Sequence, residues 1–104
     1  GLGKTPLVLQ LYDYLLNTKR ISEKKILYIS AEQLKSFFGA NLMEAIEIFI
    51  EEIHESSLIG LDEKVFILID EAQEDELWSV CGKVVFDLNP NAFMLFTGSS
   101  ALDL

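Results

Sequence analysis

The apolar residues of this chain are concentrated in a few short runs, and the strongest run organises the rest. Residues 65–69 are five consecutive apolar side chains, three of them β-branched, and Asp70 and Glu71 follow at once. This pattern is typical of a central strand in a parallel sheet that is covered on both faces. Because ligands of open α/β sheets bind at the carboxyl edge of the strands, the two carboxylates lie where a ligand site is expected.

Stretches with helical spacing alternate with two further buried runs. The patterns predict helices over residues 5–17, 41–53 and 74–88, a short or irregular helical segment over residues 30–38, and strands near residues 25–30, 64–70 and 92–97. Parallel strands in this order need crossover connections through helices. The sequence therefore predicts an α/β fold with a parallel sheet.

Three features add detail to the predicted helices. Apolar residues nearly all round residues 5–17 predict a helix that packs on more than one side. Asn41 and Glu44 have the spacing of a capping box, which predicts a helix start. Trp78 lies beside the apolar stripe of the last helix, where we expect it to act in packing. That stripe consists of Leu77, Cys81, Val84, Val85 and Leu88.

Composition excludes several classes of protein. With 104 residues, 50% of them hydrophobic, the chain is one globular domain or part of one. The formal net charge of -9 disfavours direct contact with nucleic acid, which requires clustered Lys and Arg. Cys81 is the single cysteine, and no apolar run reaches the roughly 20 residues that cross a membrane. We therefore expect a cytoplasmic protein with no membrane partner.

The first residues match the end of the phosphate-binding loop pattern Gly-x-x-x-x-Gly-Lys-Ser/Thr. Gly1 and Gly3 allow the backbone to approach a phosphate closely. Lys4 supplies a positive charge, and the Thr5 hydroxyl can bind Mg²⁺. By itself this short sequence is common by chance, so its interpretation depends on the rest of the chain.

The remaining motifs occur in the order that phosphate chemistry requires. The loop precedes a helix, an apolar strand then ends in carboxylates, and Thr97 ends a further strand. Asp70 is a candidate to hold, through water, the Mg²⁺ that bridges nucleotide phosphates. Glu71 is the candidate group to orient or deprotonate the attacking water.

Three motifs together resemble the AAA+-related P-loop ATPases that are common in archaea and bacteria. These motifs are Gly-Lys-Thr at residues 3–5, Ile-Asp-Glu-Ala-Gln at residues 69–73 and Phe-Thr-Gly-Ser-Ser at residues 96–100. In that family an Asp-Glu-x-Gln Walker B motif precedes a Thr-Gly-Ser-Ser sensor strand. The resemblance covers nearly the whole chain. Its implied site residues are Gly3, Lys4 and Thr5 of Walker A, Asp70 and Glu71 of Walker B, and Thr97 of the sensor strand.

The resemblance also implies a fold and a reaction. It implies a three-layer P-loop sandwich with sheet order 5-1-4-3-2, in which residues 1–104 form a partial AAA+-like ATPase core without the first strand. The three predicted strands should then be adjacent, with the Walker B strand in the middle. ATP with Mg²⁺ is the expected ligand, and hydrolysis to ADP is the expected reaction.

Two alternatives stay open. Asp-Glu-Ala-Gln at residues 70–73 also suits a helicase core of the Asp-Glu-x-x type, although such cores usually continue with Ser-Ala-Thr and the acidic charge disfavours one. The other alternative is a regulatory switch that binds nucleotide and scarcely hydrolyses it. In similar proteins a further C-terminal domain often sets the biological role.

The resemblance finally predicts how residues 1–104 behave alone. It places the strand that feeds the phosphate loop before Gly1 and beside the third predicted strand. Without that neighbour the third strand has an unpaired apolar edge, which favours pairing with another chain. We therefore expect the isolated segment to bind ATP very weakly, to leave it unhydrolysed and to self-associate.

Overall fold

The fold alternates helices and strands over the residues that the computed structural model describes, 7–53 and 63–98. In chain order the elements are α1 (Leu7–Asp13), a π-helical turn (Tyr14–Thr18), a 3-10 turn (Glu23–Lys25), β1 (Ile26–Ser30), α2 (Ala31–Phe38), α3 (Leu42–Ile48), a second π-helical turn (Phe49–Ile53), β2 (Val65–Asp70), a second 3-10 turn (Ala72–Glu74), α4 (Trp78–Leu88) and β3 (Ala92–Phe96). Within this part of the chain, no helix has the length and apolar character needed to span a membrane.

The three strands form one parallel sheet in the order β1-β2-β3. Ser30 lies opposite Asp70, and Ile69 lies opposite Phe96. The α/β fold, the parallel pairing and the central place of β2 are therefore confirmed. Each strand also agrees with its predicted bounds to within one residue.

Strand β2 is buried on both faces, as its continuous apolar run predicts. Val65, Ile67 and Ile69 pack into a cluster with residues of α2, α3 and α4. Phe66 and Leu68 point the other way, into a smaller cluster with residues of α1. The sheet is thus the middle layer of three, and it separates α1 from the other helices.

Local side-chain chemistry sets the ends of α2 and α3. The predicted capping box is present: the Glu44 N–H donates to Asn41 Oδ1 (2.9 Å), and the Asn41 N–H donates to Glu44 Oε1 (3.3 Å). Ser30 Oγ accepts from the N–H of Gln33 at the start of α2. Gly39 ends that helix with φ of 60°, a left-handed conformation that glycine adopts easily.

The prediction that the first helix packs on more than one side is wrong for the described residues. Val8 and Leu15 are buried against the sheet, whereas Leu7 is 62% exposed and Leu9 is 41% exposed. Only the sheet offers α1 a packing surface in this part of the chain. The helix is therefore covered on one face despite its apolar circumference.

The last helix begins at Trp78 rather than at residue 74. Asp75 is extended, and its carboxylate accepts from the N–H of Leu77 (2.8 Å) and from the distant N–H of Leu42 (2.9 Å). These bonds replace the expected first helical turn. Trp78 packs against Phe96 with ring centroids 5.3 Å apart, which confirms its packing role.

The predicted stripe of α4 is right in part. Cys81 and Val85 are buried in the core, but Leu77, Val84 and Leu88 are exposed. The predicted apolar stripe is therefore too broad. The helix starts at Trp78, and of the predicted stripe only Cys81 and Val85 are buried.

Candidate functional site

Asp70 and Thr97 meet at the carboxyl edge of the sheet. Asp70 ends β2 and Thr97 directly follows β3, so parallel pairing brings together side chains that are 27 positions apart in sequence. The Thr97 N–H donates to the Ile69 carbonyl (2.9 Å), and the Thr97 hydroxyl donates to Asp70 Oδ1 (2.9 Å). The structure thus joins two of the predicted site residues, whose roles remain predictions.

The carboxylate of Asp70 is part-buried and held in place by hydrogen bonds. Its Oδ1 accepts from the Thr97 hydroxyl and from the N–H of Glu71 (3.0 Å). Among the described residues both of these bonds fall on Oδ1, so Oδ2 can face a ligand. Mg²⁺ prefers such hard, anionic oxygen ligands, and the side chain therefore fits a magnesium role.

Strand β1 adds two polar groups that sequence reasoning did not single out. Ser30 is the register partner of Asp70, although its hydroxyl already accepts from α2. Burial raises the pKa of the Tyr28 hydroxyl, and the negative charge of Asp70 raises it further. A polar residue directly after the apolar run of β1 was the available signal for Ser30.

Glu71 leaves the strand through an unusual backbone conformation. Its φ of 53° and ψ of 42° lie in the left-handed region, which costs a residue with a side chain on the order of 1–2 kcal/mol. The next N–H, that of Ala72, donates to the Thr97 carbonyl (2.8 Å). The turn is therefore fastened to the end of β3, and this fastening holds Glu71 in its strained conformation beside Asp70.

Gln73 is the functional candidate that sequence reasoning missed. Its Nε2–H donates to Glu71 Oε2 at 2.7 Å, a short bond to a carboxylate. The Gln of the Asp-Glu-x-Gln motif was noted for its resemblance only. Gln73 meets Glu71 across a turn in which residue 71 is left-handed, a conformation that no sequence pattern indicates.

The predicted phosphate loop lies outside the described residues. Gly1, Gly3, Lys4 and Thr5 all precede Leu7, where the description begins. Their roles in holding phosphate and Mg²⁺ therefore stay predictions.

Within residues 7–53 and 63–98, no group of three or more His, Cys, Asp or Glu side chains is arranged to hold a metal ion. Burial raises the pKa of Cys81 to about 11, with smaller contributions from the charges of Asp75 and Glu47, so its thiol stays protonated and unreactive near neutral pH.

The parallel sheet and its acidic carboxyl edge are consistent with part of a P-loop-like α/β domain. Residues 1–104, the whole chain, match the family described as "AAA domain", so the chain belongs to that family of nucleotide-binding ATPases. The chain is also 38% identical over 107 residues to an uncharacterized protein of Methanocaldococcus jannaschii. The match covers 100% of this chain and 20% of that relative, so the chain spans about a fifth of the relative's length. No solved structure matches the chain.

Proposed function

We propose that the intact protein binds ATP with Mg²⁺ and hydrolyses it to ADP and phosphate. The observation that carries the proposal is the hydrogen-bonded edge at which Thr97 holds Asp70 and a fixed turn places Glu71 beside it. This arrangement stands in a chain of the AAA domain family. Residues 1–104 act as a partial ATPase core that drives or switches an attached domain or partner.

Each side chain has a distinct task in this proposal. Asp70 and the Thr5 hydroxyl hold Mg²⁺, which when bound neutralises charge on the nucleotide phosphates. The backbone at Gly1 and Gly3 and the charge of Lys4 hold the phosphates themselves. All of these groups position the nucleotide.

The chemical step assigns Glu71 the role of general base. Its carboxylate accepts a proton from a water molecule, and the water oxygen forms the new bond to the terminal phosphorus. The bond between that phosphorus and the bridging oxygen breaks, and the electron pair leaves with ADP. Thr97 acts through Asp70 and serves as the polar sensor group.

Charge and length support the proposed partners. The net charge of -9 argues against direct contact of this segment with nucleic acid. The relative is about five times as long as the aligned segment, which leaves ample chain for an attached C-terminal domain. We place the protein in the cytoplasm and expect its ATPase core to act on that domain or to self-associate.

Turnover by the full-length protein tests the proposal. We expect release of phosphate from ATP that depends on Mg²⁺, stops when EDTA is added and does not change with DNA. Strong stimulation by DNA would favour the helicase alternative. Tight ATP binding without phosphate release would favour the regulatory switch.

Replacing Thr97 by Val is expected to lower kcat by about tenfold, because the Asp70 carboxylate loses the hydroxyl that donates to Oδ1. Val keeps the shape of the side chain, and its backbone N–H can still donate to Ile69. Thr97→Ser keeps the hydroxyl and serves as the matched control. Steady-state ATPase rates of the full-length proteins measure the difference, and equal rates for Thr97→Val and wild type would exclude this role of the hydroxyl.

A further inference from the structure

Gln73 connects the turn after β2 to the segment after β3. Its Nε2–H donates to Glu71 Oε2 at 2.7 Å. Its other polar atom, Oε1, lies so close to Gly98 that a Cβ added there would be 2.5 Å from it. One amide side chain therefore reaches the candidate base on one side and the residue after Thr97 on the other.

The Gln73 side chain is exposed, and it lies beside a hydrogen-bonded part of the backbone. Gln73 and Gly98 line a small cavity at the carboxyl edge, together with the paired rings of Trp78 and Phe96. The Ala72 N–H that binds the Thr97 carbonyl holds the two chain segments together directly beside this cavity. The amide thus lies between two segments whose separation is fixed by the backbone.

The absence of a side chain at residue 98 makes room for this arrangement. A Cβ at 2.5 Å from Oε1 is closer than real contacts allow, so the flexible end of Gln73 would have to move away. That movement would withdraw Nε2 from Glu71. Gly98 therefore affects the Glu71 carboxylate through Gln73, without touching it.

We propose that Gln73 is a positioning residue that orients the Glu71 carboxylate for proton transfer, and that Gly98 is required because it leaves space for Gln73. The inference rests on the proposed hydrolysis of ATP. A hydrogen bond of this length restricts the orientation of the Glu71 carboxylate. Small losses of alignment in a base cost large factors in rate, whereas nucleotide binding does not involve this bond.

A double-mutant cycle in the full-length protein tests the proposal. Gln73→Ala and Gly98→Ala are each expected to lower kcat by about 10- to 100-fold, with the dissociation constant for ATP and the unfolding temperature near those of wild type. The double variant should be no slower than Gln73→Ala alone, because Gly98 acts only through Gln73.

A matched control accompanies the cycle. Gln33→Ala removes another exposed glutamine near the carboxyl edge, at the start of α2, and is expected to leave kcat unchanged.

The outcomes separate this inference from the proposed function. If wild type hydrolyses ATP but Gln73→Ala has an unchanged or higher kcat, the positioning role is overturned. If the losses of kcat from Gln73→Ala and Gly98→Ala add in the double variant, the role of Gly98 is overturned. If both variants lose ATP binding as well as kcat, the effect is a general structural one and the positioning role is overturned. If wild type itself releases no phosphate, the proposed function fails first.

Discussion

Glu71→Gln in the full-length protein is expected to bind ATP as wild type does and to lose turnover by about 10²- to 10⁴-fold. The amide keeps the size and planar shape of the carboxylate, and one of its polar atoms can still pair with Gln73. It cannot accept the proton of the attacking water. The loss should therefore appear in kcat, with the dissociation constant for ATP little changed.

Single-turnover phosphate release and direct ATP titration measure these two quantities separately. Glu76→Gln is the matched control, because it makes the same change at an exposed residue of the same connecting segment. Equal turnover by Glu71→Gln and wild type would remove Glu71 from the catalytic role. A loss of ATP binding together with turnover would point to a structural fault in the strained turn.

Lys4→Ala is expected to abolish measurable ATP binding, with the dissociation constant raised by about 100-fold or more. Hydrogen bonds from a charged donor to phosphate are among the strongest single contacts in such sites, and the remaining backbone donors cannot replace the charge. Titration of the full-length variant with ATP and Mg²⁺ measures the effect.

Lys64→Ala is the matched control for charge. Lys64 is exposed and directly precedes β2, at the edge of the sheet opposite Asp70. It should therefore leave the dissociation constant unchanged. An unchanged dissociation constant in Lys4→Ala would show that Gly-Lys-Thr at residues 3–5 is not a phosphate loop.

Strands and caps were predictable from the sequence because their causes are local. The continuous apolar run ending at Asp70 is typical of a strand buried on both faces, and the structure shows that strand. The capping box of Asn41 and Glu44 needs only four consecutive residues. The parallel sheet then followed from the alternation of elements. The family resemblance supplied the strand order that places Asp70 beside Thr97.

The start of α4 was not predictable, because a distant contact decides it. Asp75 turns its carboxylate towards the N–H of Leu42, which lies 33 residues earlier in the chain. Helical spacing carries no information on such a bond.

The hydrogen bond between Gln73 and Glu71 could not be predicted from the sequence for a different reason. Residues two apart do not face each other in a helix, and they lie on the same face of a strand without being adjacent. In the structure the two side chains meet across a turn in which Glu71 has a left-handed φ. A glutamate is an unexpected residue for that conformation, so the sequence argues against the geometry that the structure contains.

The left-handed backbone of Glu71 implies a trade-off between thermal stability and ATPase activity. Gly and Asn adopt this conformation more readily than Glu does, so either substitution would relieve strain while it removes the carboxylate. Variants selected only for a higher melting temperature would then collect at position 71 and lose hydrolysis. A stability screen of this protein therefore needs an activity assay beside it.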